Sequence, residues 1–125
     1  MNVGIIGCGA ISSQYMTGLK KNKNEINILA CADKDENKSE FFAKEYNINP
    51  LSVEALLMDK DIDIIVNLTP PSSHFDISLK SLENGKHVFS EKPVSLTIEE
   101  GKKLYSTMKK NNVYLFSAPV SYTHL

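Results

Sequence analysis

The sequence predicts an α/β fold, a doubly wound parallel sheet of the Rossmann type, on three observations. Apolar runs of strand length alternate with stretches of helical spacing along the chain. The first run passes through Gly7-Cys8-Gly9 into a helix, and an acidic residue, Asp33, closes the second run about 20 residues after Ser12. Finally, the chain is punctuated at residues 7–9, Asp33, residues 69–71 and residues 91–93, each at the carboxyl end of a predicted strand. Parallel α/β sheets hold their ligands beyond that edge.

Val3, Ile5 and Ile6 form the first strand. A Gly-x-Gly turn leading into a helix suits a nucleotide pyrophosphate. The first glycine permits the tight turn, the second lets backbone N–H groups approach phosphate, and the helix N-terminus adds partial positive charge. The usual third glycine is replaced by Ser12, a small residue whose hydroxyl can donate to phosphate. Ile11, Tyr15 and Leu19 make one apolar stripe on the first helix, which ends in the polar cluster 20–24. Residues 26–32 (INILACA) read as the second strand. Asp33 at its end suits the ribose of an adenosine, whose hydroxyls a carboxylate accepts and whose 2′-phosphate it repels. The competing reading is that Asp33 caps the following helix.

That helix spans 35–46, with Phe42 and Tyr46 facing inward, and residues 47–50 break it. Ser52 caps a short helix carrying Val53, Leu56 and Leu57. Residues 62–68 (IDIIVNL) are β-branched and read as a buried strand, stopped by Thr69-Pro70-Pro71. Ser73-x-x-Asp76 predicts a capping box for a helix reaching Asn84, with Phe75, Leu79 and Leu82 on one face and Gly85 as its left-handed end. Residues 86–90 form another strand, followed by Glu91-Lys92-Pro93. Thr97-x-x-Glu100 caps the last helix, whose inward stripe is read as Ile98, Gly101, Tyr105 and Met108. Asn111-Asn112 end it before a final strand over 113–116.

At 125 residues, 42% hydrophobic and 23% charged, the chain has the size and composition of one globular domain. A net charge of −1 leaves no footprint for nucleic acid. All 14 basic residues are lysines. Arginine is the usual partner of the NADP 2′-phosphate, so NAD is the expected cofactor, and Lys34 beside Asp33 keeps NADP open. Cys8 and Cys31 fit no metal spacing and read as packing residues of a reducing compartment, oxidant sensitivity of Cys8 being the minor alternative. No apolar run approaches the ~20 residues that span a membrane, and no charged n-region opens the chain, so a cytoplasmic location is expected.

GCGAISS, NLTPPSSH and GKHVFSEKP together resemble the Gfo/Idh/MocA family of NAD(P)-dependent oxidoreductases, over residues 2 to about 117. The resemblance implies hydride transfer between a nicotinamide and a sugar, polyol or related small molecule. It implies that Gly7, Gly9, Ala10 and Ile11 wrap the pyrophosphate, and that Asp33, with Lys34 beside it, holds the adenosine ribose. Leu68, Thr69 and Pro70 would line the nicotinamide half, with His74 near it; a histidine satisfied by helix-start backbone is the other reading of His74. Glu91 and Lys92 match the family's Glu-Lys-Pro, whose lysine reaches the nicotinamide ribose and the reacting carbon. The residue-level reading of Lys92 runs the same way: a lysine at a strand end can donate to a substrate hydroxyl and ease loss of its proton. A solvated surface charge is its alternative. No metal is expected.

Residues 1–118 are expected to be an NAD(P)-binding domain. The family's second α/β domain, which supplies most substrate contacts, an aspartate and a histidine for proton transfer, and the surface for homo-oligomers, is expected to lie outside this chain. Residues 119–125 (PVSYTHL) back-translate to CCT GTC TCT TAT ACA CAT CT-, which contains the transposon mosaic end of sequencing libraries, and read as a non-native tail. The expected function is therefore the cofactor half of a dehydrogenase, inactive alone. The alternative is a stand-alone NAD(P)-binding module with a regulatory or redox-sensing role. A methyltransferase on the same sheet is disfavoured by the Pro-Pro and Glu-Lys-Pro elements.

Overall fold

A computed structural model describes residues 1–9, 12–20, 25–91 and 97–117. Six strands and five helices alternate: β1 (Asn2–Ile6), α1 (Ser12–Lys20), β2 (Asn27–Ala32), α2 (Glu36–Tyr46), β3 (Asn49–Pro50), α3 (Val53–Met58), β4 (Ile64–Asn67), α4 (Pro71–Glu83), β5 (His87–Ser90), α5 (Ile98–Asn111) and β6 (Leu115–Ser117). All strand pairs are parallel, in the order β3-β2-β1-β4-β5-β6. That order, which places β1 at the centre and reverses direction between β1 and β4, is the doubly wound arrangement expected from the alternation.

Residue alternation along the central strands sorts the core into two layers. Val3, Ile5, Cys31 and Val66 pack with Met16 of α1 and with Phe42 and Ala43 of α2. Ile6, Ala30, Ala32 and Ile65 pack on the other face with Leu56 and Leu57 of α3 and Ile77 of α4. Leu82, Val88, Leu104 and Val113 form a third cluster, joining α4 and α5 to β5. Local chemistry sets the helix ends. Asp35, Ser52 and Thr97 cap α2, α3 and α5 by accepting backbone N–H bonds. Asn47 and Asn112 close α2 and α5 in the left-handed conformation, and Gly85 (φ +76°) follows α4.

Four expectations are corrected. Residues 47–50 do more than break a helix: Asn49 and Pro50 pair with Ala30 and Cys31 as a two-residue edge strand, where Pro50 needs no donor. The inward residue of α1 is Met16, 1% exposed, while Tyr15 and Leu19 are only half-buried; Ile11 lies outside the described residues. Ser73-x-x-Asp76 is not a capping box. Helix α4 begins earlier, with Pro70 at the N-cap, no side-chain cap bond and Pro71 in its first turn, where proline's fixed φ and missing N–H are tolerated. On α5 the inward residue is Leu104, whereas Ile98 and Tyr105 are 79% and 59% exposed. The stripe is rotated because α5 rests on α4 through Leu104 and Met108, and packing rather than local spacing chose the face.

The lower edge of the sheet, remote from residues 7–9, is fastened by Lys86. This lysine is 5% exposed, and its ammonium donates to the carbonyl of Ile62 (2.8 Å) and to that of Asp59. Both acceptors lie in the connection from α3 to β4, so one buried cation satisfies carbonyls that the sheet does not reach. Lys86→Met is expected to lower stability by about 1.5–3 kcal/mol, since it leaves both carbonyls without the charged donor. In urea unfolding this appears as a lower midpoint with an unchanged slope. An unchanged midpoint would show the fastening to be idle.

Candidate functional site

At the carboxyl ends of β1, β2, β4 and β5 lies a cleft of ≈ 590 Å³, with Gly7, Asp33, Thr69, His74 and Glu91 among the residues that line it. Its floor is the turn after β1. Gly7 has φ +105°, and a Cβ there would stand 2.6 Å from the carbonyl carbon and oxygen of Leu68. Its N–H donates to the Ala32 carbonyl at 2.8 Å, while the Leu68 N–H donates to Ile6 at 2.8 Å. The turn is thereby locked between the ends of β2 and β4, with a backbone approach only glycine allows. A Cβ on Gly9 would meet nothing within 4 Å. The space over Gly9 is thus open where a pyrophosphate would lie, which fits a dinucleotide. The Ser12 hydroxyl is directed elsewhere: it donates to the Gly9 carbonyl, which also accepts the Ser12 N–H at 3.1 Å, so it closes the turn and is not offered to phosphate.

Asp33 is half-buried and does not cap α2, since Asp35 takes that position. Its Oδ2 accepts the Cys8 N–H at 2.8 Å and its Oδ1 accepts the Asp35 N–H at 2.9 Å. Two backbone donors thus fix the carboxylate at the cleft's edge, each oxygen retaining a lone pair for a ligand. Lys34 follows it, exposed and lining the cleft. Behind the turn, Cys8 is buried and its thiol donates to the Ala32 carbonyl at 3.5 Å. Contact with the Cys31 thiol, burial and the Asp33 charge all push the Cys8 thiol up, so it stays protonated and serves packing.

The far wall is built by Asn67, which sequence reasoning passed over. It is wholly buried at the end of β4, and its side chain is fully used. Nδ2 donates to the His74 carbonyl and to Ser78 Oγ, both at 3.0 Å; Oδ1 accepts the Thr69 hydroxyl at 2.6 Å and the Thr69 N–H at 3.2 Å. One amide therefore ties together β4, the following turn and the first two turns of α4. It presents Leu68, Thr69 and Pro70 to the cleft along with His74, which is 2% exposed on α4's first turn. The signal for Asn67 in the sequence was a lone amide inside a β-branched run, which must find partners when buried.

Glu91 closes the cleft beyond β5 and accepts the Tyr15 hydroxyl, which links α1 to the start of the segment after β5. Burial, and secondarily the hydrogen bond and charge of Glu91, push the Tyr15 phenol upward, so it remains a donor at any physiological pH. Sequence-predicted residues Gly7, Gly9, Asp33, Lys34, Leu68, Thr69, Pro70, His74 and Glu91 are thus brought to one cleft. Ala10, Ile11, Lys92, Pro93 and the 119–125 tail lie outside the described residues. Among the described residues no group of three or more His, Cys, Asp or Glu side chains is placed to hold a metal, and no helix is long and apolar enough to cross a membrane.

The family model Gfo/Idh/MocA, described as an oxidoreductase family with an NAD-binding Rossmann fold, matches residues 1–118. The chain is 33% identical over 118 residues to trans-1,2-dihydrobenzene-1,2-diol dehydrogenase of Xenopus tropicalis, covering 92% of this chain and 36% of that protein. It is 30% identical over 111 residues to scyllo-inositol 2-dehydrogenase (NAD(+)) of Bacillus subtilis strain 168, covering 87% and 32% respectively. The crystal structure of an NAD-binding protein from Listeria innocua superposes with a TM-score of 0.85 at 29% identity, covering 93% of this chain and 34% of that one. The chain thus spans about a third of the length of the relatives it matches.

The Asn67 network generates a prediction. Asn67→Ala removes the buried partner of the His74 carbonyl and of Ser78 and leaves the half-buried Thr69 donors without their acceptor, at a cost of about 1–3 kcal/mol. Amide exchange at Thr69 is expected to accelerate together with a lower urea midpoint; unchanged exchange would show the turn to be held by other contacts.

Proposed function

This chain belongs to the Gfo/Idh/MocA oxidoreductase family and contains its NAD-binding Rossmann fold, and from that premise we propose how its residues serve a nicotinamide-dependent reaction. Residues 1–118 are taken as the cofactor domain of an enzyme that moves hydride between NAD and a small sugar, polyol or related carbinol. The observation that carries this reading is the fixed Asp33 carboxylate beside an open glycine turn in a single cleft. Gly9, with Ala10 and Ile11, would hold the pyrophosphate by backbone N–H groups, while Gly7, whose own N–H is spent on the Ala32 carbonyl, would serve by making the turn compact. Asp33 would accept the adenosine ribose hydroxyls, with Lys34 at its side. Leu68, Thr69, Pro70 and His74 would border the nicotinamide half, the apolar Leu68 and Pro70 excluding water from it.

Bound NAD supplies a hydride acceptor or donor at its nicotinamide ring. The chain's own contribution to chemistry falls to Lys92, whose ammonium would donate to the substrate oxygen and stabilise negative charge as the O–H proton leaves. Glu91, held by Tyr15, would anchor the segment that carries this lysine. Substrate selection, a proton acceptor and homo-oligomer contacts are assigned to polypeptide found in the longer relatives. The two free thiols fit a reducing, cytoplasmic setting.

Titration of this chain with NADH, followed by nucleotide fluorescence, tests the binding half. Asp33→Ala is expected to weaken NADH by about 10–100-fold, the loss of charge-assisted hydrogen bonds. Equal affinity in both proteins would remove Asp33 from the site. For the chemical half, Lys92→Ala in a protein carrying both domains is expected to lower kcat by about 100-fold or more while KM for NAD stays nearly constant. Undiminished turnover would overturn the role.

A further inference from the structure

Two buried thiols meet beneath the glycine turn, and the proposed reaction uses neither of them. Cys31 is wholly buried in β2, paired with Ile5 on one side and Pro50 on the other, and its thiol donates to the Ser39 carbonyl at 3.5 Å. Cys8 stands between Gly7 and Gly9. Its thiol touches the carbonyl of Ala32, the residue after Cys31, and also the Cys31 thiol itself. Both side chains belong to one core cluster, so packing keeps them together while they are reduced. Cys8 retains 9% exposure, a route for a reagent little larger than water. The two thiols are unequal. The hydrogen bond from Cys8 pulls the Cys31 thiol below its ordinary value, against burial and the Asp33 charge, whereas the Cys8 thiol is pushed up. Cys31 is therefore the nucleophile of the pair and Cys8 its proton-bearing partner.

We propose that Cys8 and Cys31 form a redox switch, closing to a disulfide under peroxide and so pulling the glycine turn out of its nucleotide-binding shape. This rests on the dinucleotide reading given above and adds a regulation to the same site. The Cys31 thiolate attacks one oxygen of hydrogen peroxide, the O–O bond breaks, and the departing hydroxide takes up the proton that the thiol released. The Cys8 sulfur then attacks the resulting sulfenic acid. It gives up its proton as the S–O bond breaks, and a second water leaves. Two thiols are thereby oxidised to one disulfide while one peroxide is reduced to two waters. The new bond shortens a non-bonded contact to about 2 Å. Cys31 is held by strand pairing on both sides, and Gly7 by the Leu68 backbone and the Ala32 carbonyl, so Cys8 is the residue that gives. Its N–H is then drawn away from Asp33 Oδ2, and Gly9 moves with it. The support of the Asp33 carboxylate and the open space over Gly9 change in one step.

The test compares this chain reduced with dithiothreitol and treated with hydrogen peroxide. Intact mass, peptide mapping without reduction and NADH fluorescence titration are the readouts. Peroxide is expected to remove the mass of two hydrogens, to link the Cys8 and Cys31 peptides, and to weaken NADH by about tenfold or more, with recovery on reduction. Cys31→Ala is expected to bind NADH as the reduced wild type does and to keep that affinity under peroxide. The mass and the peptide map are read on the wild type, so they decide the cross-link whether or not the variant folds. Thiols that stay free under peroxide, oxidation without a Cys8–Cys31 link, or a link that leaves NADH affinity unchanged would each overturn the switch and leave the dinucleotide reading intact. The same holds if Cys31→Ala loses NADH under peroxide as the wild type does. A reduced wild-type chain that binds no NADH would overturn both.

Discussion

The contact on which the site depends is the approach of Gly7 to the backbone of Leu68, too close for any side chain. It brings the turn after β1 against the end of β4, and the Gly7 N–H to Ala32 bond draws in the end of β2 from the other side. Three strand ends thus meet at one point without a side chain between them. From that meeting the other distances follow. The Cys8 N–H falls within 2.8 Å of Asp33, and Leu68 and Thr69 are set across the cleft from Gly9. A fold whose crossovers all leave the same edge can collect groups from distant parts of the chain, but only if its central turn is compact enough to let them converge.

What was legible in the sequence is what covalent geometry and short-range patterning decide. Gly7 and Asp33 are readable because a left-handed turn and a strand end each demand a residue type. The faces of β1 are readable because Val3 and Ile5 alternate with Ile6 and appear in separate core layers. The caps Ser52 and Thr97 are readable because the N–H donors they accept from lie three residues away. What was not legible depended on partners far along the chain. Lys86 looks like one lysine among 14 until its carbonyls from the α3–β4 connection are in place. The α5 stripe was misjudged for the same reason: several rotations of that helix offer an apolar face, and α4 selects one of them.

The error at Ser73 has a different origin. Ser73-x-x-Asp76 has the form of a capping box, yet Pro71 can start the helix with its own fixed φ, and the Ser73 N–H is satisfied by the Pro70 carbonyl at 2.8 Å. Two local signals competed, and the backbone restriction of proline prevailed over a side-chain bond worth about 1 kcal/mol. Starting α4 at Pro71 also has a consequence for the cleft. It puts His74 and Ser78 on the helix face toward β4, where Asn67 engages the carbonyl of one and the hydroxyl of the other.

The two ends of the cleft are therefore built on opposite physical principles. At the Thr69 end the polar groups are buried and mutually satisfied, Asn67 using every donor and acceptor it has, so the wall is rigid and offers a ligand mainly shape. At the Asp33 end the carboxylate is fixed by backbone donors while the lysines around it remain solvated, so that wall offers charge whose balance can adjust to the ligand. A nicotinamide must be held in one orientation for hydride to pass to one carbon, which a rigid wall achieves. The adenosine half of a dinucleotide takes no part in bond making and tolerates an adaptable wall. On the proposed placement of the nicotinamide beside Thr69 and the adenosine ribose beside Asp33, the division of rigidity within the cleft would follow the division of labour along a dinucleotide.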